Sequence, residues 1–125
     1  MKSYDNLTPS AILKIENQEL LTKIALTSKD WWIRRIATEK ISNQDVLKKI
    51  AKSDCSDYVR WTAVQKLTDQ STLTEVAQTD TDSDVRQAAI VAIKSRSVLV
   101  KIAKHDKNKH VRNAAKERLE ELSTR

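Results

Sequence analysis

One dipeptide recurs in this chain at a fixed interval, and the interval restricts the fold more than any other feature. Ile33-Arg34, Val59-Arg60, Val85-Arg86 and Val111-Arg112 follow one another at steps of 26 residues. A period of that length marks a repeated supersecondary unit rather than a coiled coil or a single large core. Four full units result, 21–46, 47–72, 73–98 and 99–124, opening on Leu21, Leu47, Leu73 and Leu99. The segment 7–20 aligns with the second half of a unit, so the pattern begins on a half repeat.

Within a unit the apolar spacing is helical twice over. Ile24-Ala25, Ile50-Ala51, Val76-Ala77 and Ile102-Ala103 stand three and four residues after the opening Leu, on one helix face. The Val-Arg pair opens a second stripe, through Ala37, Ala63, Ala89 and Ala115 to Ile41, Leu67, Ile93 and Leu119. Asn17, Asn43, Asp69 and Ser95 precede the first helix of each unit, and Asp30, Ser56, Asp82 and Asn108 precede the second. All eight are residues whose side chains accept from the free N–H groups of a helix start. In the half repeat, Thr8 is the expected cap, Pro9 suits the first helical position, and Leu7 can staple against Ile12. The chain has no Gly, which disfavours the tight turns of a sheet protein. Neither helix of a unit can bury its stripe alone, so neighbours must stack. The expected fold class is all-α: a single domain, 1–125, forming an α-solenoid of two-helix units.

The frame resembles HEAT repeats, through Asp54-x5-Arg60, Asp80-x5-Arg86 and Asp106-x5-Arg112, with Val before each Arg and Ala three residues after it. The resemblance spans about residues 7–122. The unit is similar in length to leucine-rich-variant repeats, whose Asn-Pro turn signature is missing. The HEAT resemblance implies a hydrogen-bonded ladder between neighbouring units, built from Asp54, Asp80, Asp106, Arg60, Arg86 and Arg112. The first unit has Ser28 in place of Asp, so Arg34 is expected either to lack its partner or to use Asp30. In the last unit the column Thr38, Val64, Ile90 becomes Lys116 and the column Glu39, Gln65, Val91 becomes Glu117, as suits a terminal repeat.

The repeat also identifies exposed positions, because a column that is polar in most units faces solvent. Three such columns carry aromatic residues in units one and two: Trp31 against Asp57, Ser83 and Lys109; Trp32 and Tyr58 against Asp84 and His110; and Trp61 against Arg35, Gln87 and Asn113. Exposed clusters of Trp, Tyr and Arg are the usual anchors of binding surfaces. Trp31, Trp32, Arg35, Tyr58 and Trp61 are therefore the expected protein-binding residues, with Trp32 one repeat over from Tyr58. By the resemblance to HEAT arrays they line the concave face. The alternative is that Trp31 and Trp32 fold back over the half repeat as a lid. Asp57 among these rings is also similar to the Asp beside Trp residues in HEAT-like DNA glycosylases.

Charge is the second signal. The net charge is +6, and residues 94–118 hold nine Lys/Arg against two acids. Lys94, Arg96, Lys101, Lys104, Lys107, Lys109 and Lys116 are candidate phosphate contacts for a nucleic acid, or a surface that steers an acidic partner protein.

Other chemistry is sparse. Asp80-x-Asp82-x-Asp84 hints at a calcium loop, but Val85 and Val91 stand where its Gly and Glu belong, so a capping turn is expected. His105, His110 and the single cysteine, Cys55, are too scattered for a metal site. No cofactor is implied, since a chain without Gly has no phosphate-cradling loop. One cysteine admits no internal disulfide and suits a reducing, cytoplasmic setting. No apolar run is long enough to span a membrane, and residues 1–6 lack the apolar core of a signal peptide and read as a frayed end. The expected function is a non-catalytic protein-binding scaffold. Alternatives are nucleic-acid binding through the basic units, glycosylase activity at Asp57, and a homodimer through the aromatic patch.

Overall fold

In a computed structural model of the chain, residues 6–124 are described. The expected frayed end therefore lies, apart from Asn6, outside the described residues. Among these residues the chain forms nine helices and no strand. They are α1 (Pro9–Leu13), α2 (Gln18–Thr27), α3 (Trp31–Glu39), α4 (Gln44–Ser53), α5 (Asp57–Lys66), α6 (Gln70–Thr79), α7 (Ser83–Ile90), α8 (Arg96–His105) and α9 (Lys109–Ser123). The chain divides into two compact units, Met1–Lys66 and Leu67–Arg125.

Helix starts follow the capping residues. Asn17, Asn43, Asp69 and Ser95 each accept a backbone N–H of the first turn of α2, α4, α6 and α8. Asp82 and Asn108 do the same for α7 and α9, accepting two N–H groups each. Thr8 caps α1 through Ala11 N. Asp30 departs from expectation: it stands at the N-cap of α3 but its carboxylate takes no capping hydrogen bond. Asp80 and Asp82 hold the turn before α7 through backbone N–H groups, so the triple-Asp segment is a capping turn.

In the first unit α2 packs on α3 and α4 on α5, while α3 is flanked by α1 and α5. The core is the set of repeat columns: Leu21, Ile24, Ile33, Ala37, Ile41, Leu47, Ile50, Val59 and Ala63 are buried, together with Ile12 of α1. In the second unit α6 packs on α7, α8 on α9, and α7 against α9, around Leu73, Val85, Ala89, Ile93, Leu99 and Val111. Each fully buried Leu, Ile or Val contributes about 1.5–3 kcal/mol of transfer free energy. Val64 and Ile90 are buried, whereas Val91 is exposed. Lys116 and Glu117 are exposed on α9, as the polar substitutions of the last unit require.

Helix C-termini need another solution. No described residue has positive φ, so the left-handed closure that glycine usually supplies is not used. Side chains from neighbouring elements take the free carbonyls instead. Gln18 donates to Lys40 O at 2.8 Å and accepts from Ser42 N at 3.1 Å. Gln70 repeats this on Ala92 O and Lys94 N, both at 2.9 Å, and Gln44 donates to Lys66 O at 3.0 Å. Lys40 Nζ donates to Leu13 O at 2.6 Å, Lys66 Nζ to Glu39 O at 2.8 Å and Arg118 Nε to Ile93 O at 2.9 Å. These cations also suit the negative end of each helix dipole.

Candidate functional site

The Arg of each unit braces a turn. One guanidinium nitrogen reaches the backbone at the turn of its own unit: Arg60 Nη1 to Asp54 O at 2.9 Å, Arg86 Nη1 to Asp80 O at 2.8 Å, Arg112 Nη1 to Asp106 O at 2.8 Å. For Arg34 and Arg86 the rest of the fork also reaches forward, to a carboxylate 20 residues on. Arg86 binds Asp106 through Nε and Nη2, at 3.0 and 3.1 Å. Arg34 binds Asp54 at the same distances. The expectation that Arg34 would lack a partner or use Asp30 is therefore wrong: the pairing runs 20 residues forward, not six residues back. Ser28 fits this scheme. Its hydroxyl accepts from Asp30 N, the turn role of the missing Asp, and the preceding half repeat has Thr8 where an Arg would need a carboxylate.

Both pairs are largely buried, with the Arg86 and Asp106 side chains 4% and 7% exposed. The Asp54 hydrogen bond raises the Arg34 pKa further, against the effect of burial. For Asp106, burial pushes the carboxyl up. The Arg86 hydrogen bond, the Asn108 N–H and the charges of Arg86 and Lys107 outweigh it and hold the carboxyl below its ordinary value. Every buried side-chain nitrogen and oxygen among the described residues has a hydrogen-bond partner. These groups are occupied by structure.

Beside each pair runs a groove. One, of about 400 Å³, is lined by Ala25, Lys49, Ile50, Arg34, Asp54 and Cys55 among others. The other, of about 360 Å³, is lined by Gln78, Lys101, Ile102, His105 and Asp106 among others, at positions equivalent by two repeats. Cys55 is exposed and accepts a long hydrogen bond from Arg34 Nη2, at 3.6 Å. No group of three His, Cys, Asp or Glu among the described residues is placed to hold a metal.

The aromatic residues lie on the starts of α3 and α5. The rings of Trp31 and Trp32 meet edge to face, with centroids 6.0 Å apart and planes at 88°. Trp31 also stacks on Tyr58, at 5.0 Å and 23°. The cross-repeat neighbour of Tyr58 is thus Trp31, where the sequence suggested Trp32. Trp31 turns toward α5 rather than lying over 7–20 as a lid. Trp31, Trp32 and Tyr58 are 38%, 44% and 57% exposed, Arg35 is exposed, and Trp61 and Asp57 are half-buried. Such ring pairs add about 0.5–1.5 kcal/mol beyond burial, enough to fix the rings before anything docks on them.

All seven candidate phosphate-binding cations are exposed, but the fold does not gather them. Lys101 and Lys104 project from α8 opposite its buried Leu99 and Ile102, and Lys109 and Lys116 from α9 opposite its buried Val111 and Ala115. Because α8 and α9 pack through those buried faces, the two pairs point away from each other. Glu120 shares the face of Lys116, one turn on. No helix among the described residues is long and apolar enough to cross a membrane. No family profile, curated protein or solved structure matches the chain.

Proposed function

We propose that this protein is a HEAT-like α-solenoid that acts as a non-catalytic scaffold, binding protein through the exposed aromatic surface of α3 and α5. The 26-residue period, the hairpin packing inside each unit and the forward Arg–Asp pairs support the architecture. The observation that carries the function is the ring cluster. Trp31, Trp32 and Tyr58 keep large apolar faces in water at positions where other units place Asp, Ser, Lys or His. Exposing indoles costs solubility and contributes nothing to the core, whereas rigid, pre-stacked aromatic residues lose little entropy on binding.

The test is affinity capture from a native extract with the wild-type chain and Trp32→Ala, in low and high salt. Proteins retained by wild type, lost by the variant and resistant to salt support the reading. An identical set with both baits refutes it. Nucleic-acid binding is the weaker alternative, because Lys101 and Lys104 point away from Lys109 and Lys116, and it would weaken steeply with salt. Lys94 and the other cations of residues 94–118 then act in long-range attraction of an acidic partner. The setting proposed for this activity is the cytoplasm.

A further inference from the structure

The charges inside the aromatic surface are arranged for a particular occupant. Trp31 and Arg35 stand one turn apart on α3, and Asp57 and Trp61 stand one turn apart on α5 at the equivalent positions. The two helices run in the same direction. Trp31 at the start of α3 stacks on Tyr58 at the start of α5, and Lys66 at the end of α5 reaches Glu39 at the end of α3. The four residues therefore form a square, with indoles on one diagonal and opposite charges on the other.

Neither charge on that diagonal has an ion-pair partner among the described residues. Arg35 and Asp57 make no hydrogen bond or ion pair with any described residue, while Arg34 next door is fully engaged with Asp54 and the turn carbonyls. A two-fold axis laid along the indole diagonal places the same face of a second copy over this one. It sets Arg35 of each copy over Asp57 of the other, with the indoles against their own counterparts. An isologous interface requires such self-complementarity, in which one patch supplies both halves of every pair.

We propose that the aromatic surface is a homodimer interface, closed by two reciprocal Arg35–Asp57 ion pairs around the Trp31, Trp32 and Tyr58 rings. This rests on the reading of the surface as protein-binding and names its occupant.

The experiment is sedimentation equilibrium of the full chain from roughly 1 to 200 µM, a range that brackets micromolar self-association. Wild type is expected to dimerise. Arg35→Asp and Asp57→Arg should each weaken the dimer about tenfold or more, because each sets like charges opposite one another twice. An equimolar mixture of the two variants should form a heterodimer, since every cross-pair is then attractive. The doubly exchanged chain should self-associate again. Far-ultraviolet circular dichroism establishes that each variant is folded. A wild type that is monomeric over the whole range overturns the proposal, as does a mixture no more associated than its components. A monomeric wild type that still loses captured protein on Trp32→Ala would overturn self-association alone. Capture unchanged by Trp32→Ala would remove the binding reading itself.

Discussion

Asp106→Ala should cost far more stability than a surface ion pair is worth. The Asp106 carboxylate accepts two bonds from Arg86 and one from Asn108 N, at 2.8–3.1 Å. Truncation leaves Arg86 Nε and Nη2 without acceptors on a side chain 4% exposed, and frees the N–H that organises the turn before α9. An exposed pair contributes less than about 1 kcal/mol. Removing one partner of a buried pair strands a charge and costs about 3–5 kcal/mol. For a chain of this size that is a fall in Tm of about 10–20 °C. Urea unfolding followed by circular dichroism at matched m-values measures it, with Asp106→Ala, Arg86→Met and the double variant forming a cycle. The double variant should be less destabilised than the sum of the singles, because no charge is stranded. A loss under about 1 kcal/mol for Asp106→Ala, or strict additivity, would refute the claim that the pair acts as one buried unit.

Further outcomes follow from the same geometry. The Asp106 carboxyl is held below its ordinary value of 3.8, so the folded state binds fewer protons than the unfolded state between the two values. Its contribution is complete above the unfolded value and lost as pH falls through the lowered folded one. The stability gap between wild type and Asp106→Asn should therefore be constant near neutrality and narrow below about pH 4, and a gap independent of pH would contradict it. Lys40→Ala removes the ammonium that holds Ile12 O and Leu13 O at the end of α1. Amide exchange at Ile12, Lys14 and Ile15 should accelerate about tenfold, corresponding to roughly 1.5 kcal/mol of local stability, while α4 stays protected. Equal acceleration in α4 would show that the contact supports the whole unit.

Much of this molecule is written locally. The stripes that bury Leu21, Ile33, Leu73 and Val85 depend on spacing within a few residues, and the caps at Asn17, Asn43, Asp69, Ser95, Asp82 and Asn108 depend on spacing of two or three. The four repeated units supply the rest, because a column that alternates Trp, Asp, Ser and Lys cannot be core. The Gln column at 18, 44 and 70, and the basic column at 40, 66 and 118, were equally visible as repeats. Their task was not, since a polar residue at constant spacing looks the same whether solvated or bonded to a distant carbonyl.

The sequence by itself therefore determined the helices, most of their starts, the buried faces and the exposure of Trp31, Trp32 and Tyr58, though not the half-burial of Trp61, through 3.6-residue periodicity and short-range capping. Only the tertiary structure decided which carboxylates Arg34 and Arg86 take, that Trp31 rather than Trp32 meets Tyr58, and that Lys101 and Lys104 point away from Lys109 and Lys116. Those outcomes depend on how one hairpin registers on the next. Asp54 is closer to Arg60 in sequence than to Arg34, yet its carboxylate lies against Arg34, because packing of the buried columns brings the following turn over the preceding guanidinium.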